Sequence, residues 1–259
     1  MVFNLDMKKF AIIIPYEFTA SKNILEHLEK LDLPKNVQIV KTEKESIHNE
    51  NIDKEINADY FIFATRHQSE SKVKSLCVHV TGNFAKAEVG GKERELGWSM
   101  PSFMKTALNY LEKNKLKDFE VTMEVTHHGP YLAKPVMFLE IGSSEKEWGD
   151  KKAGELIAKT ILEVVKSKKK SKSCIILGGG HYNQTAKKLM LNSEYAVGHI
   201  CPKYQLENLD LELLKQMVER SDEKVELIVL DWKGLKQKEK IKTLLEKLKV
   251  KHERYDKLK

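Results

Sequence analysis

Short apolar runs, each closed by turn residues, recur along this chain and alternate with stretches of helical spacing. The first, residues 10–14, is wholly apolar and stops at Pro15, which reads as a strand buried on both faces. Residues 37–40, 60–64, 136–141, 173–177 and 225–230 are further strand candidates, while 76–80 and 119–125 alternate as half-buried strands would. Helical spacing covers 23–31, with Ser21 as its expected cap and Ile24, Leu25, Leu28 and Leu31 on one face. It also covers 102–111, one long stretch 146–165 capped by Ser143 or Ser144, 209–220 and 236–248. The polar stretch 41–57 reads as a long loop. Strands alternating with helices predict an α/β layered chain with some antiparallel pairing between 76 and 141. With no internal repeat and no Pro/Gly/Ser-rich linker, residues 1–259 read as one composite domain.

Composition narrows what such a chain does. No apolar run approaches the roughly 20 residues of a membrane-spanning helix, so a soluble, cytoplasmic protein, monomeric and with no membrane partner, is expected. Three scattered cysteines, Cys77, Cys174 and Cys201, include no Cys-x-x-Cys pair and support neither a disulfide framework nor a zinc ribbon. The formal charge is +7, and only Arg66, Arg94, Arg220 and Arg254 among the basic residues are arginine. Residues 233–259 hold 11 basic and 4 acidic side chains, so the whole excess sits in a C-terminal helix and tail. That is a candidate handle for a polyanion, read through phosphates rather than bases.

Two constellations carry chemistry. Glu124-Val-Thr-His-His-Gly-Pro130 ends a strand, where ligands bind in α/β folds. On an extended chain His127 and His128 would point to opposite faces, and Glu124 would share a face with His128. Gly178-Gly-Gly-His-Tyr182 follows the strand 173–177 directly, and its backbone N–H groups could receive an anion. It is neither a P-loop nor a dinucleotide fingerprint. Arg66-His67 with Glu70, His79 with Asn83, and Gly198-His199-Ile-Cys-Pro-Lys203 are further candidates at strand ends. No compact zinc motif and no Gly-x-Ser-x-Gly elbow is present, so a metal site would have to be assembled from distant segments.

Taken together, residues 59–71, 78–84, 124–130, 138–144 with Glu147-Trp148, 178–182, 198–204 and 231–235 resemble the archaeal-type D-aminoacyl-tRNA deacylases, in that family's order. The resemblance implies hydrolysis of the ester between a D-amino acid and the terminal ribose of tRNA. It also implies a zinc requirement and a three-layer α/β/α fold with a mixed sheet, similar to phosphorylase and peptidyl-tRNA hydrolase-like enzymes. On that basis His128, oriented by Glu124, is expected to be general base or zinc ligand. His181 and the amides of Gly178, Gly179 and Gly180 would hold an oxyanion or the terminal phosphate, with Asn83 and Lys203 also binding substrate. His67, His127, His199 and Glu140 are the remaining metal-ligand candidates. One departure stands out: the family continues the glycine block with Ala-Pro-Arg, where this chain has Asn183-Gln184-Thr185. The competing readings are a zinc amidohydrolase or peptidase of small substrates, and a tRNA-binding module without chemistry.

Overall fold

The computed structural model describes residues 8–69, 72–233, 235 and 237–258. Glu70 and Lys236, named above, lie outside the described residues. The elements are β1 (Phe10–Pro15), α1 (Thr19–Leu28), β2 (Val37–Thr42), α2 (Ile52–Glu55), β3 (Tyr60–Gln68), β4 (Ser75–His79), α3 (Pro101–Lys113), β5 (Glu120–Met123) and β6 (Val136–Ser143). They continue with α4 (Glu145–Trp148), α5 (Lys151–Lys166), β7 (Lys172–Leu177), α6 (Gln184–Asn192), β8 (Tyr195–Cys201), α7 (Leu211–Glu219), β9 (Val225–Leu230), α8 (Lys238–Leu248) and β10 (His252–Arg254).

The strands form two sheets. The larger has the order β2-β1-β3-β6-β4-β5 and the smaller β10-β9-β7-β8. All the neighbouring pairs are parallel except β4 with β6, so the sheet is mixed and the antiparallel pairing falls where the sequence placed it. In the smaller sheet, successive side chains serve different cores. Cys174, Ile176, Leu227 and Val229 join the core that also holds Phe61 and Phe138, whereas Ile175, Leu177, Ile228 and Leu230 pack with α7 and α8 residues such as Leu213 and Ile241. A strand with apolar side chains on both faces can be covered from both sides, as period-two geometry requires.

Several boundaries differ from the sequence expectation. Helix α1 starts at Thr19, so Ser21 lies inside it, buried, with its hydroxyl donating to the Ala64 carbonyl. The single helix expected over 146–165 is two, α4 and α5. The Asp150 carboxylate caps the second by accepting from the amides of Lys152 and Ala153. Buried Asn23 holds the break by donating to the carbonyls of Trp148 and Asp150. Strand β4 is buried on both faces, and β5 is buried at Val121, Thr122 and Met123, rather than half-solvated. Strand β8 is poorly marked in the sequence because Gly198 and His199 interrupt it. A Cβ at Gly198 would stand 2.6 Å from Ser99 Oγ, so close packing demands glycine there. Among the described residues no helix is long and apolar enough to cross a membrane.

Candidate active site

The site forms where the larger sheet meets the smaller. β3 delivers His67, β4 ends at His79, and the chain leaving β5 carries Glu124. Glu140 lies on β6, flanked in the sheet by Thr65 on one side and Cys77 on the other. The segment after β5 is stitched to the second sheet. The Val125 N–H donates to the His181 carbonyl at 3.1 Å, Thr126 N–H to Ile200 at 3.1 Å, and Asn183 N–H to Met123 at 2.8 Å. This seam brings the glycine turn after β7 against Glu124.

The floor is two buried carboxylates and an imidazole. His67 Nδ1 lies 3.4 Å from Glu124 Oε1 and 3.5 Å from Glu140 Oε2. Burial opposes charge on His67, but the hydrogen bond to Glu140 and the charges of Glu124 and Glu140 prevail and raise its pKa to about 10. Its Nε2–H donates to the Tyr182 hydroxyl at 2.9 Å, which donates onward to Ser69. Burial alone would raise Glu140; the hydrogen bond from His67 and the imidazole of His79, 3.6 Å away, hold it down at about 2. Glu124 is pushed upward by its burial, against the pull of His67 and His79.

Above the floor, four imidazoles share one space. The rings of His79, His127 and His128 lie 4.3 to 4.8 Å apart, and His181 stands 4.7 Å from His127. Backbone carbonyls, which only accept, set the tautomers: Nδ1–H of His127 donates to Val125 at 2.8 Å and that of His128 to Gly129 at 2.5 Å. His79 Nδ1 makes the same kind of bond to Val80 at 3.3 Å. Burial and mutual repulsion keep His127 well below the usual histidine range and His128 at about 3, so both are neutral with bare Nε2 atoms. Nε2 of His127 nonetheless faces Glu124 Oε2 at 3.6 Å, lone pair against carboxylate. His79 Nε2 and both Glu124 oxygens are buried without a hydrogen-bond partner. Such an orphaned donor set fits a cation. Ligand atoms within 4.8 Å of one another come from His79, His127 and His128, from Glu124, His127 and His181, and from His67, Cys77, Glu124 and Glu140. A cavity of about 310 Å³ opens onto His67, His127, His128, Glu140 and His181.

A family model described as D-aminoacyl-tRNA deacylase matches residues 54–253. This chain belongs to the D-aminoacyl-tRNA deacylase family. It is 43% identical over 208 residues to the D-aminoacyl-tRNA deacylase of Pyrococcus furiosus, covering 77% of this chain and 76% of that one. The relative of the same name in Methanosarcina acetivorans is 37% identical, with 96% and 93% covered. A crystal structure described as a conserved protein of unknown function superposes with a TM-score of 0.90 at 31% identity, over 97% of this chain and 96% of that one.

The residues of this D-aminoacyl-tRNA deacylase family member sort differently from the sequence expectation. His128 has φ 42°, in the left-handed region, so the chain is not extended there and both adjacent imidazoles enter the same cluster. Glu124 therefore partners His67, His127 and, at 3.9 Å, His181, while His128 packs against Phe138. His199 lies apart from the metal-fitting groups. Its Nδ1 bonds the Thr126 hydroxyl at 3.1 Å and its Nε2–H donates to the Arg220 carbonyl at 3.0 Å, so both ring nitrogens are used in packing. Asn83 spends its amide on the carbonyls of Gly90 and Lys92, holding a loop.

The glycine turn is built differently too. Gly178 N–H donates to Cys201 and its carbonyl accepts from Asn183, so this amide does not serve an oxyanion. Gly179 has φ 82° and its carbonyl accepts from the Lys203 amide at 2.9 Å; Gly180 opens on free space, and the Lys203 side chain is exposed. The departure at 183–185 is structural in this chain: Asn183 also caps α6 through Ala186 N–H, and Thr185 donates to Asp231 at 2.9 Å. The sequence motifs include His79, Tyr182 and Tyr204, but sequence reasoning gave none of them a role. The signals were their places: His79 at a strand end, the tyrosines one residue beyond His181 and Lys203.

Proposed function

We infer that this chain hydrolyses the ester bond of D-aminoacyl-tRNA in the cavity at the seam, with zinc held by His79, His127 and His128 and the carboxylates behind them. The observation that carries the reading is the convergence of bare imidazole nitrogens and buried carboxylate oxygens that make no hydrogen bond, in a chain of this family. Zinc there would supply Lewis-acid polarisation of the ester carbonyl. His181 is the imidazole at the mouth: it lines the cavity, and burial lowers its pKa to about 4, so it is neutral at working pH. It takes a proton from the attacking water at Nε2 and returns it to the ribose oxygen that leaves. Glu124, 3.9 Å from that nitrogen, stabilises the imidazolium formed between the two transfers. His67, protonated between Glu124 and Glu140, fixes both carboxylates.

The RNA is gripped by phosphate contacts from Lys203 beside the glycine turn and from the exposed lysines of α8 and the tail. Lys240 ties α8 to the Lys203 turn by donating to the carbonyls of Leu206 and Glu207. The family match favours this reading over an amidohydrolase of small substrates or a binding module. Hydrolysis of D-Tyr-tRNA and L-Tyr-tRNA by wild type, His181→Ala and Glu124→Gln tests it. Selective release from the D-form, lost in both variants, is expected. Equal rates on the two forms, or wild-type rates in His181→Ala, would overturn it.

A further inference from the structure

We propose that Tyr204 is a two-ended positioning residue: its hydroxyl fixes the ring of His181, and its exposed ring face stacks the terminal base of the RNA. The proposal rests on the reading of His181 as the proton acceptor in ester hydrolysis. Tyr204 Oη lies 3.1 Å from His181 Nδ1. For Nε2 to receive a proton it must be bare, so Nδ1 must carry the hydrogen and donate it to an acceptor. The tyrosine oxygen is that acceptor, and a phenyl ring could not replace it.

The other end of the residue faces outward. Tyr204 is 47% exposed, among the few large apolar side chains left open in the described residues. The turn that presents it is firmly anchored. Lys203 N–H donates to the Gly179 carbonyl at 2.9 Å, Gln205 N–H to Pro202 at 2.9 Å, Leu206 is fully buried, and Lys240 clamps the following carbonyls. An aromatic face held rigidly beside the proton acceptor is a prepared surface. The ester sits on the terminal ribose, and the base hangs from the same sugar, so the base must lie within one sugar's span of His181. Stacking on an aromatic ring suits that position because it tolerates any sequence upstream, and a deacylase must accept many tRNAs.

Three variants separate the two ends: Tyr204→Phe, Tyr204→Leu and Tyr204→Trp. Each is assayed for kcat and KM on D-Tyr-tRNA, and for fluorescence quenching of an uncharged tRNA carrying 2-aminopurine at its 3′ end. Tyr204→Phe should lower kcat about tenfold while KM and quenching stay within twofold, the cost of losing an orienting partner. Tyr204→Leu should add a rise in KM of about tenfold and abolish the quench. Tyr204→Trp should restore KM and quenching but not kcat. Wild-type kcat in Tyr204→Phe overturns the hydroxyl's role, and unchanged KM and quenching in Tyr204→Leu overturn the stacking. A wild-type protein that quenches the probe yet releases no D-tyrosine fails the deacylase reading alone, because the quench still measures stacking on Tyr204.

Discussion

His67 Nδ1 stands 3.4 Å from Glu124 Oε1, in a buried pairing that joins the end of β3 to the segment leaving β5. Because Glu140 approaches the same nitrogen, each carboxylate supports the proton on His67. In Glu124→Gln one support is lost, so the His67 pKa should fall from about 10 toward its ordinary value. Imidazole NMR on metal-free protein reads that change. Deacylation should fall by about 10² or more; a wild-type rate would remove Glu124 from the chemistry.

Chelation provides a second check. His79 Nε2 and both Glu124 oxygens are buried without a hydrogen bond, a cost that a bound cation would relieve. Zinc at 100 times its Kd should stabilise the fold by about 2.7 kcal/mol, and dialysis against a chelator should remove that increment along with activity. An unchanged Tm and rate after complete zinc removal would exclude zinc at this cluster.

His199 makes a pH prediction with a definite sign. Burial lowers its pKa to about 4, below its unfolded value, so the unfolded chain takes up the proton first as pH falls. Its contribution to stability is therefore complete above about pH 6.5 and is lost on going down to about pH 4, a swing of about 3 kcal/mol. Denaturant titrations from pH 7 to 4 should show His199→Gln with a shallower acid loss than wild type. Parallel curves would show that this histidine titrates normally.

At Gly179 the backbone has φ 82°, and an added Cβ would lie 2.4 Å from Asn183 Nδ2. That amide is itself bonded to the Gly178 carbonyl and cannot swing away freely. Gly179→Ala should cost about 1–3 kcal/mol and lower Tm. The neighbouring Gly180→Ala meets open space and should be nearly neutral, so equal losses at the two positions would contradict this geometry.

The tail lysines Lys242, Lys247, Lys249 and Lys251 are exposed. Changing all four to Gln should raise KM for tRNA and flatten its dependence on salt, by up to about 0.9 in log–log slope per phosphate contact removed. An unchanged slope would reduce the tail to a solvated surface.

Much of this was legible along the chain. The runs at 10–14, 136–141 and 225–230 became β1, β6 and β9, and the antiparallel pairing appeared between β4 and β6 as the spacing required. Glu124, His127, His128 and His181 were marked by local signals, a polar cluster and a glycine turn following strands. Less legible were β8, whose Gly198 answers to Ser99, and the break between α4 and α5, held by Asn23 from another helix.

What the sequence determined by itself is the set of elements and the inventory of imidazoles and carboxylates at their ends, because periodicity and turn chemistry act between near neighbours. Which of those groups meet was decided only by the tertiary structure. The left-handed φ at His128 turned two histidines into one cluster, and the seam between sheets set Glu124 beside His67 and His181. The same packing drew His199 away to Thr126 and Arg220 and brought Tyr204 to His181. Ligand sets and tautomers depend on distances of a few ångströms between remote segments, and those distances exist only once the two sheets have packed.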